Sequence, residues 1–440
     1  MSNKSVKNVI NEKALMTMKK LLIAMSLCGL IACQEQQASF DVEKELDYCT
    51  SQVTKALDAL READGSYDFT MEPRNILEGD TVWNCRKASE QEWCSGFWPG
   101  ILWMDYQSEK LRVKNEEFAT AISLDSLRKI AEGYTASLNF LAERPVYDHD
   151  LGFLVINSFL KGYEATGNEE YKRIALAAAD TLATLYNSKV GTILSWPRHV
   201  KDYGGHNTIM DNMMNLELLF WADSIRNSQM VNGKSVNGKL YDIATKHAET
   251  TMKHHFRDDG GCYHVAVYDT LDGHFIKGVT HQGYADSSLW ARGQSWAIYG
   301  YTMVYRFTKE QRFLDFAQKV TDLYLKRLQE TSDDWVPLWD MDDPRGQQAP
   351  KDASAACVVA SALLELQQYV DADKGKYYRE IAKNILRDLS SSKYQSRDKN
   401  VAFLMHSTGH HPAGSEIDAS IIYADYYYIE ALLRQKLLKK

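Results

Sequence analysis

Tyr171-Lys172-Arg173-Ile174-Ala175 begins an amphipathic helix, and this pattern of an aromatic residue followed closely by alanine recurs along the chain. The other copies begin at Tyr241, Phe313 and Tyr378, so successive copies lie about 70 residues apart. A repeat of this length holds two helices and two loops, which indicates one helical hairpin per repeat.

A second set of helices alternates with the first and is apolar on nearly every side. Its members cover 154–163, 212–222, 296–307 and 355–366. A helix with one apolar stripe packs on one side only, whereas a helix that is apolar all round must be buried. The sequence therefore predicts an all-α fold, an (α/α)6 toroid in which six hairpins form an inner and an outer ring. A helical solenoid is the alternative, and Gly261 to Tyr268 could form a short β-hairpin.

Composition excludes one class of function. The 440 residues are 45% hydrophobic, which is ample for a large core, and the net charge is −8. Because no long basic block is present, nucleic acid is not an expected partner.

The N-terminus has the pattern of an export signal. Lys19 and Lys20 precede an apolar run, 21–32, that is too short to span a membrane and ends in Leu30-Ile31-Ala32-Cys33. This ending resembles a bacterial lipobox, so residues 1–33 are expected to be a lipoprotein signal peptide with lipidation at Cys33.

The rest of the chain is then a tether and one domain. Residues 34–44 are expected to be the tether, and residues 45–440 a single (α/α)6 catalytic domain. The predicted location is the periplasm or outer membrane of a Gram-negative bacterium, with the lipid as the only contact with the membrane.

The remaining cysteines indicate neither a disulfide framework nor a metal site. They are Cys49, Cys85, Cys94, Cys262 and Cys357, an odd number at irregular spacing. Cys85 and Cys94 could pair in an oxidising compartment. No CxxC or HExxH motif is present, so we expect neither a metal nor another cofactor.

The unusual polar and aromatic residues lie in the loops that precede the predicted inner helices. These loops are 93–100, 147–153, 194–211, 278–296 and 406–418. In a toroid such loops gather at one end, so the sequence predicts a cleft there.

Two aspartates stand out in these loops. Asp150 lies in His149-Asp150-Leu151-Gly152-Phe153, and Asp211 directly precedes Asn212-Met213. Each could simply cap the apolar helix that follows it. Two acids held close together also raise the pKa of one of them, so that one can donate a proton while the other stabilises positive charge. With the surrounding tryptophans, this set is typical of a carbohydrate-cleaving cleft.

Other loop residues have both a functional and a structural interpretation. Arg292, between Trp290 and Gly293, offers a planar fork for a sugar carboxylate or could form an internal ion pair. His264 could contact substrate or be a buried structural histidine. Gln282 lies in a glycine-bracketed loop and could point at a ligand or into solvent, whereas Asp352 is more typical of a helix cap.

Together these segments resemble the unsaturated glucuronyl hydrolases of glycoside hydrolase family 88. The resemblance runs from about residue 45 to 436 and is specific because the motifs occur together and in order. The motifs are Gly96-Phe97-Trp98-Pro99-Gly100, His149-Asp150-Leu151-Gly152-Phe153, Asp211-Asn212-Met213-Met214-Asn215, Gln282 with Trp290-Ala291-Arg292-Gly293-Gln294, and Asp425-Tyr426-Tyr427-Tyr428.

The resemblance implies a defined reaction. These enzymes remove a 4,5-unsaturated uronic acid from the non-reducing end of lyase products by hydrating its vinyl ether. It implies that Asp211 is the general acid and base and that Asp150 is the second carboxylate. The implied substrate-binding residues are Trp98, Trp196, His264, Gln282, Trp290 and Arg292. To these we add Gly278, Thr280 and Trp296 because they lie beside them in the sequence.

Several alternatives stay open. The related unsaturated rhamnogalacturonyl hydrolases share the toroid and the paired acids, although their first acid motif differs from the one here. A glycan-binding lipoprotein without activity and a hydrolase of saturated glycosides are the others. Members that act on sulfated glycosaminoglycan fragments carry a serine-rich loop with a lysine near the C-terminus. The corresponding segment here, 409–416, has no lysine, so the sequence fixes neither the sulfation pattern nor the polysaccharide, and it leaves the oligomeric state open.

Overall fold

Helices dominate residues 40–114, 122–227 and 238–438, the part of the chain that the computed structural model describes. In chain order they are α1 (Val42–Ala59), α2 (Phe97–Lys114), α3 (Leu124–Ala136), α4 (Leu151–Val155), α5 (Lys161–Thr166), α6 (Glu169–Ala183), α7 (Val200–Tyr203), α8 (Asn212–Asn227), α9 (Lys239–His254), α10 (Ala291–Thr308), α11 (Gln311–Thr331), α12 (Ala353–Leu366), α13 (Ala372–Leu389) and α14 (Ile422–Leu437). A π-helical turn, Ile156–Leu160, joins α4 to α5.

The helices form two concentric rings. In the inner ring α2, the α4–α5 segment, α8, α10, α12 and α14 contact one another in this order, and α14 contacts α2, which closes the ring. The outer helices α3, α6, α9, α11, α13 and α1 pack against the outside of this inner ring. The predicted (α/α)6 toroid is therefore confirmed, and closure of the ring excludes the solenoid.

Burial explains why these sequences take these places. Every residue of α12 is buried, whereas its outer partner α13 buries one face, which includes Tyr378, Ile381 and Ile385. Outer helices thus need only one apolar stripe, while inner helices have packed neighbours on all sides. The aromatic residues of the repeat, from Tyr171 to Tyr378, are buried in three of the four copies.

Short strands lie in the segments that lead from an outer helix to the next inner helix, at one end of the ring. They are β1 (Met71–Ile76), β2 (Asn84–Lys87), β3 (Tyr186–Asn187), β4 (Thr192–Ile193), β5 (His206–Ile209), β6 (Val265–Tyr268), β7 (Phe275–Val279) and β8 (Ser420–Ile421). They pair in the orders β2-β1-β8, β3-β4 and β5-β6-β7, and the pairs are antiparallel.

The β-hairpin predicted over Gly261 to Tyr268 is misplaced. The hairpin consists of β6 and β7, and its turn follows Tyr268. Asp269 makes this turn because its carboxylate accepts the N–H groups of Leu271 and Asp272.

The predicted boundary after residue 44 is also wrong. Helix α1 begins at Val42, whose side chain is almost fully buried, so 42–44 are part of the fold rather than of a tether. The described residues from Val42 onward form one compact unit. The predicted signal peptide, Cys33 and residues 34–39 lie outside the described residues.

Two observations concern the described residues as a whole. None of their helices has the length and apolar character needed to cross a bilayer. All five cysteines from Cys49 to Cys357 are free, so Cys85 and Cys94 do not pair.

Candidate active site

The five predicted loops meet at one end of the inner ring. The His149 amide donates to the Ser195 carbonyl oxygen at 3.2 Å, which joins the second loop to the third. The Gln282 side chain donates to the Gly409 carbonyl oxygen at 3.2 Å, which joins the fourth to the fifth. Trp93, in the first loop, packs on Phe153 with their ring centroids 5.7 Å apart. The predicted gathering of these loops at one end of the ring is therefore confirmed.

Asp150 stands immediately before α4, and its side chain is 15% exposed. Its carboxyl makes no capping hydrogen bond, so the capping interpretation is wrong for this residue. Its own amide donates to the Asp148 carboxylate at 3.0 Å, and Asp148 is paired with Arg198 at 2.8 Å. Asp148 thus fixes the backbone of Asp150, and the Asp150 carboxyl, which caps no helix, can face the cleft.

Asp211 is held by the β5-β6 pair. Ile209 pairs with Val265, so the residues that follow β5 lie beside those that precede β6. This register brings the Asp211 carboxylate oxygen Oδ2 to 3.4 Å from Nε2 of His264. The Asp211 side chain is 14% exposed, close to the exposure of Asp150.

The two carboxyls differ in pKa. Burial, followed by the charges of Asp148 and Asp211, raises the pKa of Asp150 well above its ordinary value. Burial also acts to raise the pKa of Asp211, but the His264 imidazole and the positive charge of Arg292 lower it overall. The surroundings therefore favour the protonated form of Asp150 and the carboxylate form of Asp211.

Trp196 forms an aromatic wall that spans both acids. Its indole is half-buried, and its centroid lies 6.2 Å from the ring of His149 and 6.1 Å from that of His264. Tyr203 stacks on it at 6.0 Å, and His281 packs against it at 5.0 Å. A partly exposed indole beside the histidines that contact the two carboxyls suits a sugar ring.

The other three predicted tryptophans are buried. Trp98 is 1% exposed and packs on Tyr134 from the outer ring, while Trp296 is fully buried against Phe153 and Tyr427. Neither can stack on a sugar, so the prediction is wrong for both. Trp290 is 4% exposed, and its ring lies 4.4 Å from that of His264, which it supports from behind.

Arg292 is an internal ion-pair partner. Its Nη1 donates to Asp352 at 2.7 Å and to the Thr408 carbonyl oxygen at 2.5 Å, and its Nη2 donates to the Gly409 carbonyl oxygen at 2.5 Å. The side chain is 2% exposed. The predicted carboxylate fork is therefore already occupied, and the structural interpretation holds. Asp352 also caps α12 as predicted.

The remaining predicted residues shape the loop that ends at Trp290. The hydroxyl of Thr280 accepts the Gly283 amide at 2.8 Å, and the Gln282 amide donates to Nδ1 of His264 at 3.1 Å. Gly278 lies in β7 where a Cβ atom would collide with the ring of Tyr263. These residues position His264 and the cleft wall through backbone and loop contacts.

Two residues of the site were missed in the sequence. His149 places Nε2 at 3.3 Å from Oδ1 of Asp150, and its direct sequence neighbour Asp150 was the available signal. Trp93 is half-buried between Phe153 and Tyr423, with the Arg74 guanidinium over its ring at 5.4 Å. Its signal was its place at the start of the first loop.

Two clusters among the described residues bring three candidate metal-ligand groups within 4.8 Å of one another. The first is Asp148, His149 and Asp150, where Asp148 is already neutralised by Arg198. The second lies in the exposed turn 269–274, where the carboxylates bind backbone N–H groups. The expectation that no metal is needed stays a prediction.

Comparison with known proteins places this geometry in a family context. The sequence profile of Glycosyl Hydrolase Family 88 matches residues 70–434. An unsaturated glucuronyl hydrolase of Formosa agariphila is 40% identical over 80% of this chain and 81% of its own length. An unsaturated chondroitin disaccharide hydrolase of Streptococcus pneumoniae is 33% identical over 78% and 81%. The crystal structure of an unsaturated glucuronyl hydrolase specific for heparin is 36% identical, covers 90% of this chain and 97% of its own, and has a TM-score of 0.77.

Proposed function

The chain belongs to Glycosyl Hydrolase Family 88 and is a glycoside hydrolase of the unsaturated glucuronyl type, and we propose how its site performs that reaction. The substrate is an oligosaccharide whose non-reducing end carries a 4,5-unsaturated uronic acid left by a polysaccharide lyase. The observation that supports our proposal is the pair of buried carboxyls, Asp150 and Asp211, with pKa values shifted in opposite directions.

The reaction is a hydration followed by a ring opening. A proton is added to C4 of the vinyl ether, and positive charge develops at C5. Water then adds to C5 as it loses a proton to a base, and the resulting hemiketal opens to a keto sugar acid and the shortened oligosaccharide. The site therefore needs a proton donor that becomes a base, and a second group that stabilises charge at C5.

We assign the donor and base role to Asp211 and the stabilising role to Asp150. Asp211 is a carboxylate in the free protein, so it must gain a proton when substrate binds. The substrate supplies a reason for this, because its own carboxylate is a like charge that raises the pKa of a neighbouring acid. Asp150, whose raised pKa favours its protonated form, can donate a hydrogen bond to ring oxygens as the substrate enters.

Glycosaminoglycan fragments are the proposed source of the substrate. Of the relatives named above, the Streptococcus pneumoniae enzyme is an unsaturated chondroitin disaccharide hydrolase, and the unsaturated glucuronyl hydrolase of known structure is specific for heparin. At the cleft rim the rings of His281 and His410 lie 4.9 Å apart. His410 stands in the segment 409–416, which lacks the lysine of members that act on sulfated fragments, and we propose that both imidazoles face the second sugar.

One assay tests the activity. Purified protein is mixed with unsaturated chondroitin and heparin disaccharides, and the absorbance of the 4,5 double bond is followed. Loss of this absorbance with formation of a keto sugar acid is the expected result. Unsaturated rhamnogalacturonan disaccharide and a saturated glucuronide are the comparison substrates. Binding with a persistent double bond would instead identify a glycan-binding protein, and turnover of the saturated substrate would exclude the hydration route.

We propose further that the protein is exported and held at a membrane by a lipid on Cys33. The support is the basic and apolar N-terminal sequence with its Leu30-Ile31-Ala32-Cys33 ending. A lyase product formed in the same compartment would then reach the enzyme directly.

A further inference from the structure

Each catalytic carboxyl faces its own buried histidine. Nε2 of His149 lies 3.3 Å from Oδ1 of Asp150, and Nε2 of His264 lies 3.4 Å from Oδ2 of Asp211. Both imidazoles are almost fully buried. The two contacts look alike in distance, but the second nitrogen of each ring has a different kind of partner.

The partner of His149 fixes where its proton lies. Its Nδ1 lies 3.1 Å from the Ser195 carbonyl oxygen. A carbonyl oxygen can only accept a hydrogen bond, so Nδ1 must carry the hydrogen. Burial lowers the pKa of His149, so the ring is neutral and its Nε2 bears a lone pair. That lone pair faces Asp150.

The partners of His264 require the opposite arrangement. Its Nδ1 accepts backbone N–H groups from His281 at 3.3 Å and from Gln282 at 3.1 Å. An N–H group can only donate, so Nδ1 carries no hydrogen. The hydrogen of this ring is on Nε2, where it points toward Asp211.

We propose that His149 and His264 are positioning residues that the backbone locks in opposite tautomers, and that these tautomers keep the proton on Asp150 and leave Asp211 as a carboxylate. This inference rests on the proposed function for the roles of the two acids. A protonated Asp150 can donate its hydrogen to the Nε2 lone pair of His149. An ionised Asp150 would instead place its negative charge against that lone pair, and the two would repel each other. An ionised Asp211 is attracted to the Nε2–H group that His264 places 3.4 Å away, whereas a protonated Asp211 would have to turn its own proton away from it.

The surrounding charges act in the same direction. Asp150 faces Asp148 and Asp211, whose negative charges favour its protonated form, and the positive charges of Arg198 and Arg74 oppose this. Arg198 is paired with Asp148, which reduces its effect. Asp211 faces the guanidinium of Arg292, whose positive charge favours its ionised form. The surrounding charges therefore already favour a higher pKa for Asp150 than for Asp211, and the two tautomers increase this difference.

The locking geometry comes from the loops rather than from the inner helices. The Ser195 carbonyl lies in the loop that precedes β5, and the His281 and Gln282 amides lie in the loop that follows β7. These two loops flank the β5-β6-β7 sheet, which carries Asp211 and His264. The sheet and its loops thus impose a protonation pattern on acids that belong to two different inner helices.

The tautomers can be read directly from ring nitrogens. Two-bond proton–nitrogen spectra of the protein with nitrogen-15 histidine, recorded at neutral pH without substrate, distinguish Nδ1–H from Nε2–H rings. His149→Gln and His264→Gln identify the two spin systems by loss of their signals. We expect an Nδ1–H ring for His149 and an Nε2–H ring for His264. The same tautomer in both, or an imidazolium in either, would overturn the proposal.

A second measurement tests whether the histidines set the carboxyls. Carbon-13 aspartate labelling follows the titration of Asp150 and Asp211, with the two signals assigned by Asp→Asn variants. In His264→Leu we expect the Asp211 titration to move up by about one pH unit, because the donated hydrogen is lost. In His264→Gln an amide N–H can replace Nε2–H, so the shift should be much smaller. A merely structural role would move neither titration, and equal shifts in both variants would contradict the proposal.

Both experiments are independent of turnover. If the tautomers are as proposed but the unsaturated disaccharide keeps its double bond, the proposed function fails and the positioning inference stands. If the double bond disappears but the tautomers are equal, only the inference fails.

Discussion

Arg292 and Asp352 form a buried ion pair, with Nη1 and Oδ2 at 2.7 Å, that ties inner helix α10 to the N-terminus of α12. The guanidinium also holds the carbonyl oxygens of Thr408 and Gly409, in the last cleft loop. This pair therefore fixes two inner helices and one loop relative to one another, and it accounts for a conspicuous arginine without assigning it to substrate.

Arg292→Leu should mainly reduce stability. Removal of one partner of a buried ion pair leaves the other charge unpaired and costs about 3–5 kcal/mol. We expect a clearly lower midpoint of chemical denaturation, with Arg226→Leu as the control because Arg226 pairs with Asp180 at the surface. A variant of unchanged stability that has lost only kcat/KM would return Arg292 to the substrate-binding residues.

Trp196→Ala should weaken substrate binding while stability changes little. The indole is half-buried beside both acids, and aromatic contacts of this kind contribute about 0.5–1.5 kcal/mol beyond area burial. We expect KM to rise by about two- to tenfold. Trp98→Phe is the matched control, since Trp98 is buried against the outer ring and should affect stability instead. A loss of stability in Trp196→Ala together with a raised KM in Trp98→Phe would contradict this assignment of the two residues.

The helical rings were predictable because the apolar residues of each helix show whether it is buried on one side or on all sides. The close packing of α12 can be read in Ala353–Leu366 without knowledge of its neighbours. The positions of Asp150 and Asp211 were predictable for a related reason. Each is a charged residue directly before an apolar helix, where its own segment gives no need for a charge.

The direction of individual side chains was not predictable in the same way. Trp98 and Trp196 both precede proline, yet Trp98 lies inside α2 and faces the outer ring, whereas Trp196 lies in a loop and lines the cleft. Asp352, the partner of Arg292, is 60 residues away in sequence, so no local sequence pattern indicates this ion pair. The histidine tautomers depend on backbone groups of two separate loops, which only the folded chain brings together.

Cys33→Ser should release the protein from membranes or leave an unprocessed precursor. The physical reason is that the thiol at this position is the proposed lipid attachment site, and a hydroxyl cannot replace it in that modification. Membrane fractionation and the intact mass of the mature protein check this in the native host. Cys28→Ser, in the apolar run, is the control and should leave both unchanged. Identical partitioning of wild type and Cys33→Ser would exclude the anchor.

Asp211→Asn should abolish turnover and preserve the fold. Proton transfer by a positioned side chain contributes about 10²–10⁴-fold to rate, and asparagine can accept from His264 but cannot transfer a proton. The measurement is the rate at which the 4,5 double bond disappears, together with the melting temperature. Asp202→Asn is the control, because Asp202 is an exposed partner of His199 away from the acids. Activity within about tenfold of wild type would remove Asp211 from the proton-transfer role.

Asp150→Asn should stabilise the protein increasingly as pH rises. The folded-state pKa of Asp150 is raised above its unfolded value by burial and by the charges of Asp148 and Asp211. The folded wild type therefore keeps a proton that the unfolded chain has lost, so this acid's contribution to stability is complete below the unfolded pKa. It declines as pH rises through the folded pKa. Asparagine resembles the protonated acid, can still donate to His149, and does not titrate.

Melting temperatures of the two proteins, taken from about pH 4 upward, test this difference. We expect near equality at the acidic end and a gap in favour of Asp150→Asn that widens with pH until the folded pKa is passed, after which it stays constant. Catalysis should be lost over the whole range, so the gain in stability comes at a position that activity requires. Asp202→Asn, at the surface, should show no such widening. A gap that is independent of pH would mean that Asp150 is already ionised in the folded protein at acidic pH, and the assignment of the single proton to Asp150 would have to be abandoned.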